Sequence, residues 1–276
     1  MEGNFYTITP EGNVEQLKQN LKDAELIFET EGTVLFKIAL DLTREKDRVN
    51  IRELQIRLNG RGENNCWSRR KLNKERRFID ESILHRLKKQ LKYIPVNHLH
   101  IEAEIQEHEK ISFVLNDFQY EEVLLHIEDE VNQDQLENYK KICVNRDKNF
   151  TFSRDGRKKI NDLNVEIFDF FYNQHFNPCL GQQVSVDCDG EIKTCLWARD
   201  VLGNIFKDNL MDMIMSESFD YYWELTKDKI EICKDCEFRY ACLDCRVSGT
   251  TADGNYSITG KPSYCNYNPY TGEYEL

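Results

Sequence analysis

Cys179-Leu-Gly-Gln-Gln-Val-Ser-Val-Asp-Cys188-Asp-Gly-Glu-Ile-Lys-Thr-Cys195 opens a cysteine-rich stretch. It continues through Cys233-Lys-Asp-Cys236 and Cys242-Leu-Asp-Cys245 and closes at Cys265. Eight of the ten cysteines fall in it. Two residues between thiolates let a tight turn aim both sulfurs at one ion or cluster, and a distant cysteine then completes the shell. The spacing therefore points to metal. A disulfide framework fits less well. A chain of 276 residues builds a core without staples, and Met1-Glu-Gly-Asn-Phe lacks a charged and apolar signal region. Cys66 and Cys143 stand alone and read as buried free thiols. Ligand number does not choose the metal, because eight thiolates serve two zinc ions or two iron–sulfur clusters.

Within the stretch, Gln183 to Cys195 reads as two short strands around an Asp-Gly turn. Cys179 is followed by ten residues, Gly190, four residues and Cys195. The later run has gaps of two, five and two residues before the final Cys265. Wide flanking gaps of this kind differ from the paired knuckles of a compact zinc ribbon. The pattern resembles the SPASM domain, the auxiliary-cluster domain that ends many radical S-adenosylmethionine enzymes acting on peptides. Val201-Leu-Gly-Asn-Ile205, Lys261-Pro-Ser-Tyr-Cys265 and Tyr267-Asn-Pro-Tyr270 resemble the text around that family's cysteines.

The resemblance implies two [4Fe-4S] clusters, with zinc as the alternative. Cys179, Cys195 and Cys245 would hold the first cluster, and Cys233, Cys236, Cys242 and Cys265 the second. The interval from Cys242 to Cys245 is one residue shorter than the family's usual one. Cys188 has no fixed counterpart there. Either it supplies a fourth ligand to the first cluster, or it points to the other side of its strand, since strand side chains alternate faces.

Upstream, Val14 to Ala24 reads as a helix and Thr33 to Leu40 as a strand, followed by a charged connector, Asp41 to Arg48. Asn50 to Leu58, Asn97 to Ile105, Glu122 to Ile127 and Asn149 to Phe152 read as further strands. Phe78 to Tyr93, Asp134 to Val144 and Ile160 to Phe176 read as helices. Alternation of this kind predicts βα units on a largely parallel sheet. The expected architecture is α/β: residues 1–175 as an incomplete or degenerate radical-SAM-like (βα) barrel, then a small Cys-rich SPASM domain over 176–276. Trp197, Trp223 and the tail tyrosines Tyr264, Tyr267 and Tyr270 are expected to pack around the cysteines.

A working radical barrel carries Cys-x-x-x-Cys-x-x-Cys after its first strand. Only Cys66 and Cys143 precede Cys179 here. The resemblance therefore implies no reductive cleavage of S-adenosylmethionine. Asn59-Gly-Arg-Gly-Glu63 reads as a turn after a strand. Ser68 to Arg77 is a basic run in a chain of net charge −12, best explained as a solvated loop. His98 and His100 share a strand face, as a metal pair would, with no third ligand evident. The acidic balance argues against sequence-independent nucleic-acid binding. No apolar run of about eighteen residues predicts a membrane helix. Cysteine usage implies a reducing cytoplasm.

The resemblance implies a part in maturing a ribosomally made peptide. The expected partners are the precursor peptide and a modifying enzyme such as an ATP-grasp ligase. The alternative is a zinc-stapled docking module with no redox role. Whether the chain is itself an enzyme stays open at this stage: an iron left open at the first cluster would bind a substrate group.

Overall fold

The computed structural model describes residues 50–60, 77–127, 133–144, 149–153 and 167–274. All lie in one compact unit, Asp47–Leu276. The expected helix at 14–24, the strand at 33–40, the connector at 41–48, Cys66 and most of the basic run at 68–77 lie outside the described residues. Cys143 lies on a described helix, but its side chain is outside the description.

Strand β1 (Ile51–Arg57) is the hub. It pairs in parallel with β4 (Val96–Ala103) on one side and with β7 (Gln183–Val186) on the other. Beyond β4 lie β5 (Glu122–Ile127) and β6 (Asn149–Ser153), both parallel. Beyond β7 the sheet turns antiparallel through β8 (Glu191–Lys193) and β9 (Gly203–Asn204). The order is β6-β5-β4-β1-β7-β8-β9. This is the expected mixed α/β class with a parallel-dominated sheet. Among the described residues, however, β6 and β9 are free ends of the sheet, and no closed barrel is formed. The sheet also runs across the expected division at 175/176, since β7 lies beside β1. A short pair, β2 (Asn59–Gly60) and β3 (Arg77–Phe78), adjoins the end of β1.

Helix α1 (Glu81–Leu91) shows why these segments fold as they do. Asp80 caps it, accepting from Ser82 N at 2.8 Å, and Lys88 and Lys89 sit in the last turn, where the helix dipole favours cations. Its buried residues Ile83, Leu84, Leu87 and Leu91 recur at helical spacing. Helix α2 (His108–Asp117) was not anticipated from the sequence. It begins without a side-chain cap and buries only Ile111, Val114 and Leu115. The preceding strand stops at Ala103 rather than Ile105. Helices α3 (Gln133–Val144) and α4 (Ile167–His175) follow β5 and β6. Among the described residues no helix is long and apolar enough to cross a membrane.

The sheet has two unlike faces. Leu54, Ile56, Leu99, Ile101, Val184 and Val186 are buried in the main apolar core. Alternate positions carry polar groups instead. Glu53, Gln55 and Arg57 stand in register with His98, His100 and Glu102, and Glu53 and Gln55 with Gln183 and Ser185. Of these, Gln55, Arg57, Glu102, Gln183 and Ser185 are buried. A buried polar face must be satisfied by its own hydrogen bonds, and the cysteine-rich segment packs against it: Gln55 Oε1 accepts from Leu196 N at 3.2 Å.

Candidate metal centre

The first cysteine is positioned by Asn177, which is fully buried. Its Oδ1 accepts from the backbone N–H groups of Cys179 and Leu180, both at 2.9 Å, and its Nδ2 donates to Leu225 O at 2.7 Å. Gly181 N closes the same turn onto Asn177 O at 2.8 Å. A Cβ at Gly181 would fall 2.6 Å from that oxygen, so the turn requires glycine. Arg52 of β1 holds the loop to the sheet, donating to Gly181 O at 3.1 Å and to Pro178 O at 3.4 Å.

The β7–β8 hairpin then delivers Cys195. Asp187 Oδ1 accepts from Asp189 N and Glu191 N, both at 3.1 Å, and Gly190 takes φ +72°. This is the expected two-strand hairpin with an Asp-Gly turn. Cys195 is buried in a small apolar cluster with Leu180, Leu196 and Trp197, against which Cys179 packs. Trp197 N donates to its sulfur at 3.5 Å, the kind of bond that tunes a metal-bound thiolate. Burial raises the Cys195 thiol well above its ordinary range, and the sulfurs of Cys179 and Cys245 raise it further.

A second group forms on short turns. Cys236 N bonds Cys233 O at 3.1 Å, Cys242 N bonds Phe238 O at 2.8 Å, and Cys265 N bonds Pro262 O at 2.9 Å. Burial raises Cys233, Lys227 and Arg246 lower it, and Cys242 and Cys265 raise it. Cys236 is raised chiefly by burial, with Cys265 contributing. Cys179 packs against the cluster that holds Cys195, and Cys233 and Cys236 share one turn.

Cys188 sits differently. Its thiol donates to Arg57 O at 3.4 Å. Burial pushes it up to about 12; Arg57 pulls down, while Asp187 and Asp189 push up. His98 and His100 each face a carboxylate. Nδ1 of His98 lies 3.1 Å from Glu122, and Nδ1 of His100 lies 3.8 Å from Glu53.

Three site residues carried no signal in the sequence. Lys227, Asp244 and Arg246 are almost wholly buried. Asp244 bridges the two cations, pairing Lys227 Nζ through Oδ1 and Arg246 Nη2 through Oδ2. Arg246 Nη1 donates to Ile258 O and Gly260 O, both at 3.0 Å. Burial lowers Lys227 to about 8, while Cys242, Cys233 and Cys179 push it back up. Trp197 packs with the cysteines as expected. Trp223 instead belongs to the main core, where its Nε1 donates to Gln183 O at 3.0 Å. Tyr264 OH accepts from Cys245 N at 2.9 Å.

A cavity of about 380 Å³ lies between the polar sheet face and α4. Arg52, Glu53, His100, Tyr172, Cys179 and Cys195 are among its walls. That is within the usual size range of small-ligand sites.

Among the described residues no three His, Cys, Asp or Glu side chains close on one point as ligands of a single ion do. The donor set still suits a larger metal group. It consists of thiols alone, it is spread over several short turns, and it adjoins a buried pair of cations with a single carboxylate between them. Neutral thiols leave that excess positive charge uncompensated; metal-bound thiolates balance it.

Residues 178–237 match the family model of SPASM, an iron–sulfur cluster-binding domain. The matched span includes Cys179, Cys188, Cys195, Cys233 and Cys236 and ends before Cys242. No curated protein and no solved structure matches the chain. The chain is thus a mixed α/β protein whose segment 178–237, joined to the parallel sheet through β7, is similar to an iron–sulfur cluster-binding domain.

Proposed function

We propose that the chain carries two [4Fe-4S] clusters and serves in the cytoplasmic maturation of a ribosomally made peptide, without cleaving S-adenosylmethionine. In this reading Cys179, Cys195 and Cys245 hold the first cluster. Cys233, Cys236, Cys242 and Cys265 hold the second, and Cys188 stands outside both. The observation that carries the reading is the packing of Cys179 against the cluster that holds Cys195, with Cys233 and Cys236 on a separate shared turn. The SPASM match over 178–237 supports iron–sulfur as the metal.

Such clusters, when bound, supply one-electron transfer at potentials set by burial, charge and hydrogen bonds to sulfur. The chain's own residues do the rest. Asn177 fixes the Cys179 backbone, and Trp197 N–H bonds the Cys195 sulfur. The cavity beside Cys179 and Cys195 offers a polar wall that orients a segment of the precursor peptide. A modifying enzyme such as an ATP-grasp ligase completes the system as partner.

Two experiments test this. Cys245→Ser and Cys242→Ser, purified anaerobically, should each lose about half of the iron, with different residual electron paramagnetic resonance signals. Identical residual signals would contradict the two-group assignment. In cells lacking the gene, mass spectrometry of small peptides should show one ribosomal product shifted to its unmodified mass; an unchanged peptide profile would contradict the maturation role.

A further inference from the structure

Lys227, Asp244 and Arg246 have a position that neither cysteine group explains alone. The Lys227–Lys229 turn packs on the Cys233–Asp235 turn of the second group, and Asp244 directly precedes Cys245 of the first. Arg246 directly follows Cys245 in the chain. Both cations are tied to one carboxylate, Asp244, and all three are sealed from solvent, with Arg246 at 0% and Lys227 at 1% exposure. Two cations against one anion leave a net positive charge in the interior. Charge placed there acts over several ångströms, because neither water nor salt screens it.

We infer that this buried triad is one electrostatic element shared by both metal centres, setting both reduction potentials in the same direction. The inference rests on the two-cluster reading above. Reducing a cluster adds one electron, drawn from the reductant supplied, and makes or breaks no bond. A nearby positive charge favours the more negative, reduced form and so raises the potential. Because the triad adjoins both groups, its charge moves both clusters.

The test is a potentiometric titration followed by electron paramagnetic resonance, on the full chain purified anaerobically. Lys227→Met should lower both midpoint potentials. The expected size is at least tenfold in the reduced-to-oxidised ratio at fixed potential, which is 59 mV for a one-electron couple. Asp244→Asn should raise both, since it leaves two unopposed cations. Lys227→Arg should stay near the wild type. A purely structural role would change iron content but would not reverse the sign between Lys227→Met and Asp244→Asn. A shift at one cluster alone, a fall with Asp244→Asn, or full clusters with unmoved potentials would overturn the inference. Should Lys227→Met fail to hold iron, the sign of the Asp244→Asn shift decides. A wild-type protein without sulfide would overturn the underlying reading and the inference with it, and that result is seen before any substitution is made.

Discussion

Arg57 and Glu102 grip each other across β1 and β4. Nε and Nη2 of the arginine both donate to Glu102 Oε2, at 2.9 and 2.8 Å, with side chains only 10% and 8% exposed. The same guanidinium lies over the Trp197 ring, 4.1 Å from its centroid. One pair thus joins the polar sheet face to the loop that carries Cys195. Removing one member strands a buried charge. Glu102→Leu should cost about 3–5 kcal/mol, and the double variant Arg57→Met/Glu102→Leu should recover most of it. Urea unfolding of the three proteins checks this; equal losses in the single and double variants would contradict it.

Asn177 ties three backbone groups on two segments. Asn177→Ala leaves buried N–H groups without their acceptor, which costs about 1–3 kcal/mol. It should also release iron from the first group before the second during mild chelation. Iron loss in equal measure from both groups would contradict the placement of Asn177 under Cys179 alone.

Cys188 is held neutral by burial, its thiol pushed up to about 12. Only the thiolate reacts with alkylating agents. At pH 8.5 its alkylation by iodoacetamide should run on the order of a thousandfold slower than for a free cysteine, and the rate should still be climbing at pH 11. Peptide mapping by mass spectrometry follows it. The sign for stability matches: with the folded value raised, whatever Cys188 contributes is present below the ordinary thiol range and is lost as pH rises toward 12. Rapid labelling at pH 8.5 would contradict the buried placement.

Ile232, just before Cys233, takes φ +66° although its side chain is branched at Cβ. Cys233 N bonds Glu231 O at 2.7 Å around it, an i to i+2 closure of the rare γ-turn kind. L-residues are strained there, by about 1–2 kcal/mol. Ile232→Gly should therefore raise stability by about 1 kcal/mol, against the usual cost of added glycine. A fall in the urea midpoint would count against strain at this turn.

Local pattern revealed β1, β4, β5, β6 and the hairpin at Asp187 to Gly190, because alternation and Asp-Gly turns are short-range signals. Helix α2 escaped because it lacks a cap and carries only three buried apolar residues. The pairing of β7 with β1 joins residues some 130 positions apart (Glu53 with Gln183), and no local pattern encodes it. The cysteine-rich stretch was legible through its spacing, and residues 178–237 match the family that the spacing resembled. The triad of Lys227, Asp244 and Arg246 was not: in a chain with 31% charged residues, nothing in sequence marks which three are buried.

The central claim is that these cysteines hold iron–sulfur clusters. Metal and acid-labile sulfide content after strictly anaerobic purification, with an absorption spectrum, tests it most directly. The account predicts about eight iron and about eight sulfide per chain, from two four-iron clusters. About two zinc and no sulfide would contradict it and leave a metal-stapled docking domain.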